Sequence, residues 1–215
     1  MDRVIVTISR EFGTGGHEVG RLLAEKLGVE FYDDELIKAA AKSMGFDENY
    51  VRDNEEAIPD FSIAGLFSGV SAFTSSPADQ IQESQFEMIR EIAKKGSCVI
   101  VGRAADYVLQ DDPDLVSVFL FAPLNARIKR LAQDTVHYKN YLPEESYTED
   151  QLKKAVKYID KQRRKYYEFY TENQWGERDV YDLLINTDST GIDGAAAIIE
   201  AYIKNCKDKD ITSDL

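Results

Sequence analysis

The sequence predicts an α/β sandwich with a mostly parallel sheet. Two observations carry that prediction. Five short β-type runs are apolar almost throughout, as strands covered on both faces are. Between them lie helical stripes with the 3.6-residue period, and strand–helix alternation of this kind closes into a sheet with helices on both sides.

The first run is Val4-Ile5-Val6-Thr7-Ile8. A glycine-rich loop follows, then a stripe of Val19, Leu22, Leu23 and Leu27 that Gly28 is placed to cap. Residues 29–32 form a short second run ahead of the acidic turn Asp33-Asp34. Ile81, Met88, Ile89 and Ile92 mark a helix ending at Gly96, and residues 98–101 form the third run. The fourth, residues 116–121, leads into a helix over 124–132. The fifth, residues 182–186, precedes a last helix over 192–204.

Two segments leave the alternation. Residues 40–77 mix helix signals with Pro59 and an apolar stretch, 61–73, rich in Ser and Gly. Residues 133–177 are polar and tyrosine-rich; nine of the chain's 12 tyrosines fall from Tyr138 onward. Within them Thr148-Glu149-Asp150-Gln151 is a capping box opening a helix with Leu152, Ala155, Val156 and Ile159 on one face. The chain reads as one domain, 1–206, with two excursions and a charged, frayed tail at 207–215.

Composition narrows the function. The 215 residues carry 39 acidic and 26 basic side chains, a net charge of −13. Such a surface repels nucleic-acid phosphate and anionic lipid, so neither partner is expected, though local donors can still hold one small phosphorylated ligand. Cys98 and Cys206 give neither a disulfide framework nor metal-ligand spacing. No apolar run is long enough to span a bilayer and Met1-Asp2-Arg3 does not open a signal peptide, so a cytoplasmic protein is expected.

The most informative residues are Ser9-Arg10-Glu11-Phe12-Gly13-Thr14-Gly15-Gly16-His17-Glu18. Three glycines in four positions let backbone N–H groups crowd toward an anion, and the helix start adds its own unpaired donors. The same pattern also serves an ordinary tight βα turn that needs positive φ. His17 could donate to a phosphate or be an idle helix-start residue. Glu18 could hold Mg²⁺ or simply complement the helix N-terminus.

This loop, the strand spacing and Val99-Ile100-Val101-Gly102-Arg103 resemble the cytidylate kinase-like family, from about residue 3 to residue 202. The resemblance implies a P-loop NTPase-type three-layer fold: a five-stranded parallel sheet, a monophosphate-binding insert at about 40–77 and a helical lid at about 133–177. It implies ATP and Mg²⁺ as cofactors and a nucleoside monophosphate such as CMP as acceptor. Donor binding then falls to Gly13, Thr14, Gly15, Gly16, His17 and Glu18, and acceptor binding to Asp33, Asp34 and Arg103. Catalytic cations come from the lid arginines Arg163 and Arg164, joined by Arg10. Arg163 stands four after Ile159, so one helix face can carry it inward while Arg164 points elsewhere. Arg127 and Arg130 resemble positions flanking the adenine side.

The loop departs from G-x-x-x-x-G-K-[ST], whose lysine bridges the transferring phosphates and whose hydroxyl binds Mg²⁺. The lysine position is Gly16, and His17 and Glu18 follow it. Either another cation substitutes, Arg10 and Arg21 being nearest in sequence, or phosphoryl transfer is slow or lost. Asp34 and Glu35 replace small residues at the acceptor turn, where Asp33 or Asp34 could equally cap a helix. Ala104 stands where an aspartate would read cytosine, and Asp106 comes two positions late. Three readings therefore stand: a phosphotransferase, a non-catalytic nucleotide- or phosphate-binding protein on the same fold, and an interaction protein whose residues 61–73 form a homodimer surface. The second predicts that a lysine at position 16 raises activity if nothing else is missing.

Overall fold

A computed structural model describes residues 3–33, 77–134, 138, 141–142 and 147–210. Five strands, β1 (Ile5–Arg10), β2 (Glu30–Tyr32), β3 (Cys98–Val101), β4 (Leu115–Phe121) and β5 (Leu183–Asn186), form one parallel sheet in the order β2-β3-β1-β4-β5. The five runs read from the sequence are these five strands, shifted by at most two residues at their ends. The helices are α1 (Gly16–Leu27), α2 (Pro77–Lys95), α3 (Ala105–Val108), α4 (Leu124–Gln133), α5 (Glu149–Tyr170) and α6 (Thr187–Asp210).

Alternation along the central strands sorts the core into two layers. Val4, Val6, Ile8, Val99, Val101, Val116, Val118 and Leu120 point to the face covered by α1 and α6. Ile5, Cys98 and Ile100 point to the other face, against Met88, Ile89 and Ile92 of α2. The inner strands are thus apolar on both sides, the physical reason their sequence runs unbroken. Burial also pushes the Cys98 thiol up to about 11, so it behaves as a small core side chain.

Local signals act where expected. Gly28 ends α1 at φ 68°, its N–H reaching the helix's last carbonyls. Thr148 caps α5 with both arms of the box: the Gln151 N–H donates to Thr148 Oγ1, and the Thr148 N–H donates to Gln151 Oε1 at 2.8 Å. Helix α6 starts earlier and runs later than its periodicity suggests, through residues 207–210, with a break at Gly191 (φ 66°). Three of the four tyrosines of α5 pack inward: Tyr166, Tyr167 and Tyr170 join Phe86, Phe119, Trp175 and Tyr181 in an aromatic cluster, while Tyr158 is exposed. Asp34, His137 and the stretch 61–73 lie outside the described residues, as does most of the segment 40–77. Among the described residues no helix is long and apolar enough to cross a membrane.

The strand order places a crevice above β1. The chain leaves β1 toward β2 and β3 and later crosses to β4 on the other side. In open α/β sheets, ligands bind at the carboxyl ends of strands where the order reverses in this way.

Candidate active site

The loop after β1 is a rigid, glycine-built cradle. Gly13 (φ 83°) and Gly15 (φ 80°) take left-handed conformations, and Gly15 is the N-cap of α1. Neither position has room for a side chain. A Cβ on Gly15 would meet Ile192 Cδ1 at 2.4 Å, and one on Gly13 would press on the Arg127 backbone at 3.2 Å. The first-turn N–H groups of α1 have no partner inside the helix and face the crevice end of the sheet. Thr14 is buried and its hydroxyl donates to the Glu11 carbonyl at 2.8 Å, so what it can offer an anion is its N–H.

Gly16 has a specific neighbour. A Cβ there would lie 2.7 Å from Arg10 Cγ and 3.1 Å from Arg10 Cβ. The stem of Arg10 therefore covers the position from which a P-loop lysine would extend. The expectation that a lysine at position 16 repairs the loop meets this obstacle: with Arg10 present there is no space for it. Arg21, the other cation considered, is exposed on α1.

Helix α5 is fastened to the loop. Asp160 Oδ1 accepts the Phe12 N–H at 2.7 Å, and Asp160 Oδ2 pairs with Arg127 Nη1. Arg163 donates to the Arg10 carbonyl at 3.2 Å, and its guanidinium lies over the rings of Phe12 and Tyr141. Arg163 thus already stands at the cradle. The next residue turns elsewhere: Arg164 pairs with Glu168 and lies over Trp175. Of the two arginines after β4, Arg127 is buried between Glu11 and Asp160 and has no face left for an adenine ring. Arg130 approaches the loop too, its Nη1 3.3 Å from where a Cβ on Gly15 would be. Burial raises the Glu11 pKa, against the opposing effects of the Ala122 N–H and Arg127.

Asp33, at the end of β2, meets the start of α1: His17 Nε2 and Asp33 Oδ2 are 3.1 Å apart, with the imidazole edge-on to Phe31. Asp33 thus brings a carboxylate to the start of α1, of the kind that suits a hydrated Mg²⁺, an ion that keeps several waters and takes one or two carboxylates, while Glu18 acts on Tyr138, whose pKa burial and this carboxylate raise. The residue after Gly16 supplies no hydroxyl.

Arg103 sits on strained backbone. Gly102 (φ 91°), Arg103 (φ 58°) and Ala104 (φ 52°) are three successive positive-φ residues, two of them bearing Cβ atoms. Left-handed conformations of such residues cost about 1–2 kcal/mol each and persist where the surroundings enforce them, often at functional sites. The guanidinium of Arg103 lies 5.9 Å above the Tyr166 ring. Asp106 is not available to a ligand. Its carboxylate accepts Ser9 Oγ–H at 3.2 Å and Tyr167 O–H at 2.5 Å, tying β1, α3 and α5 together beneath the site. Burial raises its pKa, only partly offset by those two donors.

Three participants carry no sequence signal of their own: Asp160, Gln82 and Gln85. The two glutamines are buried on α2. Gln82 Oε1 accepts the Tyr166 hydroxyl at 2.7 Å, while Gln82 Nε2 and Gln85 Oε1 have no hydrogen-bond partner among the described residues. A buried polar atom without a partner costs about 1–3 kcal/mol.

With this geometry in place, comparison with known proteins is decisive on one point. Residues 5–189 match the sequence profile of the cytidylate kinase-like family. The chain belongs to that family. Cytidylate kinase of Methanocaldococcus jannaschii is 27% identical over 211 residues, covering 95% of this chain and 99% of that protein. Cytidylate kinase of Methanobrevibacter smithii is 27% identical over 203 residues, covering 94% and 99%. An uncharacterised protein of Eubacterium ventriosum has a solved structure with TM-score 0.70 at 30% identity, covering 95% of this chain and 99% of that one. Shikimate kinase of Bacteroides thetaiotaomicron (TM-score 0.54, 17% identity, coverage 94% and 98%) shares the fold. So does a gluconokinase of Sinorhizobium meliloti (TM-score 0.52, 16%, coverage 96% and 97%). The chain therefore has a P-loop kinase fold, and the cradle after β1 is that fold's phosphate loop with glycine at the lysine position.

Proposed function

We propose that the chain is an ATP-dependent phosphotransferase acting on a nucleoside monophosphate, with CMP the first acceptor to test. The single observation that carries the reading is Arg10 lying across Gly16. The loop lacks its lysine, yet the lysine's place is filled by the stem of another cation and not by solvent or an apolar side chain. Arg163, bound to the Arg10 carbonyl, puts a second guanidinium at the same loop. Two guanidiniums can neutralise charge spread over the oxygens of a transferring phosphoryl group, the main task of catalysis in this chemistry.

In this reading the N–H groups of Gly13–Gly16 cradle the ATP phosphates, with His17 at the rim. Glu18 or Asp33 would hold a hydrated Mg²⁺, which would supply positive charge to the phosphate groups. Arg103 takes the acceptor's phosphate, and Asp34 and residues 40–77 are assigned to acceptor binding. Residues 133–177 form the lid. Rate enhancement comes from positioning and fixed positive charge, with no covalent intermediate. The names of the archaeal relatives support CMP, and the absence of a span among the described residues is compatible with work in the cytoplasm.

One feature favours a second reading, nucleotide binding without turnover. The sequence has Gly16 and His17 where the usual loop has lysine and a hydroxyl. Phosphorus-31 NMR of the protein with ATP, Mg²⁺ and a mixture of the common nucleoside monophosphates separates the two. New diphosphate signals that disappear in Arg103→Ala support the phosphotransferase. An unchanged spectrum overturns it and leaves binding alone.

A further inference from the structure

We propose that Gln82 and Gln85 of α2 read the hydrogen-bonding edge of the acceptor's nucleobase, in one site with Tyr166 and Arg103 at the carboxyl end of β3. This rests on the phosphotransferase reading of the same site and adds the residues that choose the acceptor.

The two glutamines stand three apart on the buried face of α2, so their side chains emerge one above the other about 5–6 Å apart. They are 6% and 3% exposed. Their orphan atoms are complementary: Gln82 Nε2 is a donor and Gln85 Oε1 an acceptor, neither with a partner among the described residues. Gln82 is held in place from its other side, because its Oε1 accepts the Tyr166 hydroxyl at 2.7 Å. The ring of that tyrosine carries the Arg103 guanidinium 5.9 Å above it. Phe86, the next residue along α2, packs in the same aromatic cluster as Ala104, fixing the helix against the strained turn that presents Arg103.

A neutral donor and a neutral acceptor one helical turn apart, the donor's amide held by the Tyr166 hydroxyl, suit a flat heteroaromatic edge. Nucleobases present an amino or imino hydrogen next to a ring nitrogen or carbonyl, and a carboxamide pairs with such an edge. A polyhydroxy acid asks for something else: a cation for its carboxylate and several donors and acceptors around a non-planar ring. Sites built to hydrogen-bond a substrate group reject analogues that lack it strongly, because their own polar atoms stay unpaired.

Isothermal titration calorimetry on the full chain tests this, using CMP, UMP, AMP and the base-less ribose 5-phosphate as probes. In the wild type the best nucleoside monophosphate binds at least tenfold tighter than ribose 5-phosphate. Gln85→Met removes the orphan oxygen while keeping the side chain's length. It weakens that monophosphate at least tenfold, leaves ribose 5-phosphate unchanged and raises the Tm of the unliganded protein. A purely structural glutamine would not combine tighter folding with weaker binding. Gln82→Met also weakens the monophosphate but lowers the Tm, since it strands the Tyr166 hydroxyl. Unchanged monophosphate affinity in Gln85→Met overturns the proposal. So does an equal loss for ribose 5-phosphate, or a wild type that does not distinguish the two ligands. Diphosphate formation that persists unaltered in Gln85→Met overturns the base-reading role while leaving the phosphotransferase standing. Tight, glutamine-dependent monophosphate binding with no diphosphate product does the reverse.

Discussion

The side-chain stem of Arg10 lies over the place a side chain at Gly16 would take. The arginine's Cγ would be 2.7 Å from a Cβ at position 16, and atoms that close must move. Arginine on β1 and lysine on α1 are therefore alternatives. Gly16→Lys alone should weaken ATP binding and destabilise the protein by about 1–3 kcal/mol, the usual range for overpacking. Combined with Arg10→Gly, the same lysine should regain ATP affinity. Calorimetric ATP titration of the two variants checks this. A single Gly16→Lys variant that binds ATP better than wild type would show that Arg10 moves aside freely.

Asp160 holds the loop from outside. It accepts the Phe12 N–H and pairs with Arg127, a side chain 9% exposed. Asp160→Ala strands the Phe12 N–H and leaves Arg127 with Glu11 as its remaining carboxylate, and should cost about 1–3 kcal/mol in urea denaturation. Asp160→Asn, which can still accept from Phe12, should cost less.

Asp106 gives stability a definite pH slope. Burial raises its native pKa above the ordinary 3.8, so the folded protein binds its proton more tightly than the unfolded chain does. Its contribution to stability is therefore greatest below about 3.8 and falls as pH rises through the raised native value. Asp106→Asn should flatten this part of the profile, which denaturation midpoints between pH 4 and pH 8 will show. A slope identical in the variant would assign the effect to other groups. Asp112 acts in the opposite sense: hydrogen bonding to Arg3 lowers its pKa, so its contribution is present above 3.8 and lost in acid.

The cap of α5 offers a local control. Thr148→Ala removes one arm of the box and should cost about 1 kcal/mol in thermal denaturation. Arg163 lies four turns further along the helix, so ATP affinity should be unaffected. A large loss of ATP binding would mean that fraying at the helix start reaches the loop.

What the sequence by itself determined is what local physics and covering on both faces dictate. Residues such as Val99, Ile100 and Val101 are apolar in a row because helices lie on both sides, and that leaves an unbroken trace. Gly28 and Thr148 mark helix ends because only such residues satisfy the groups there. The glycines at 13 and 15 announce a positive-φ turn between strand and helix, and with Val99–Arg103 they carry the family. Tertiary structure decided everything that depends on contact between distant residues. Nothing in the local sequence says that Asp160 bonds Phe12, that Arg127 is buried in ion pairs while Arg130 reaches Gly15, or that Asp106 is consumed by Ser9 and Tyr167. Nor does it say that Arg10 overlies Gly16 or that Gln82 and Gln85 keep unpaired atoms, because a side chain's partners are set by how helices cross the sheet. Spacing along the chain encodes which face a residue occupies; the packing of one face on another decides what it meets there.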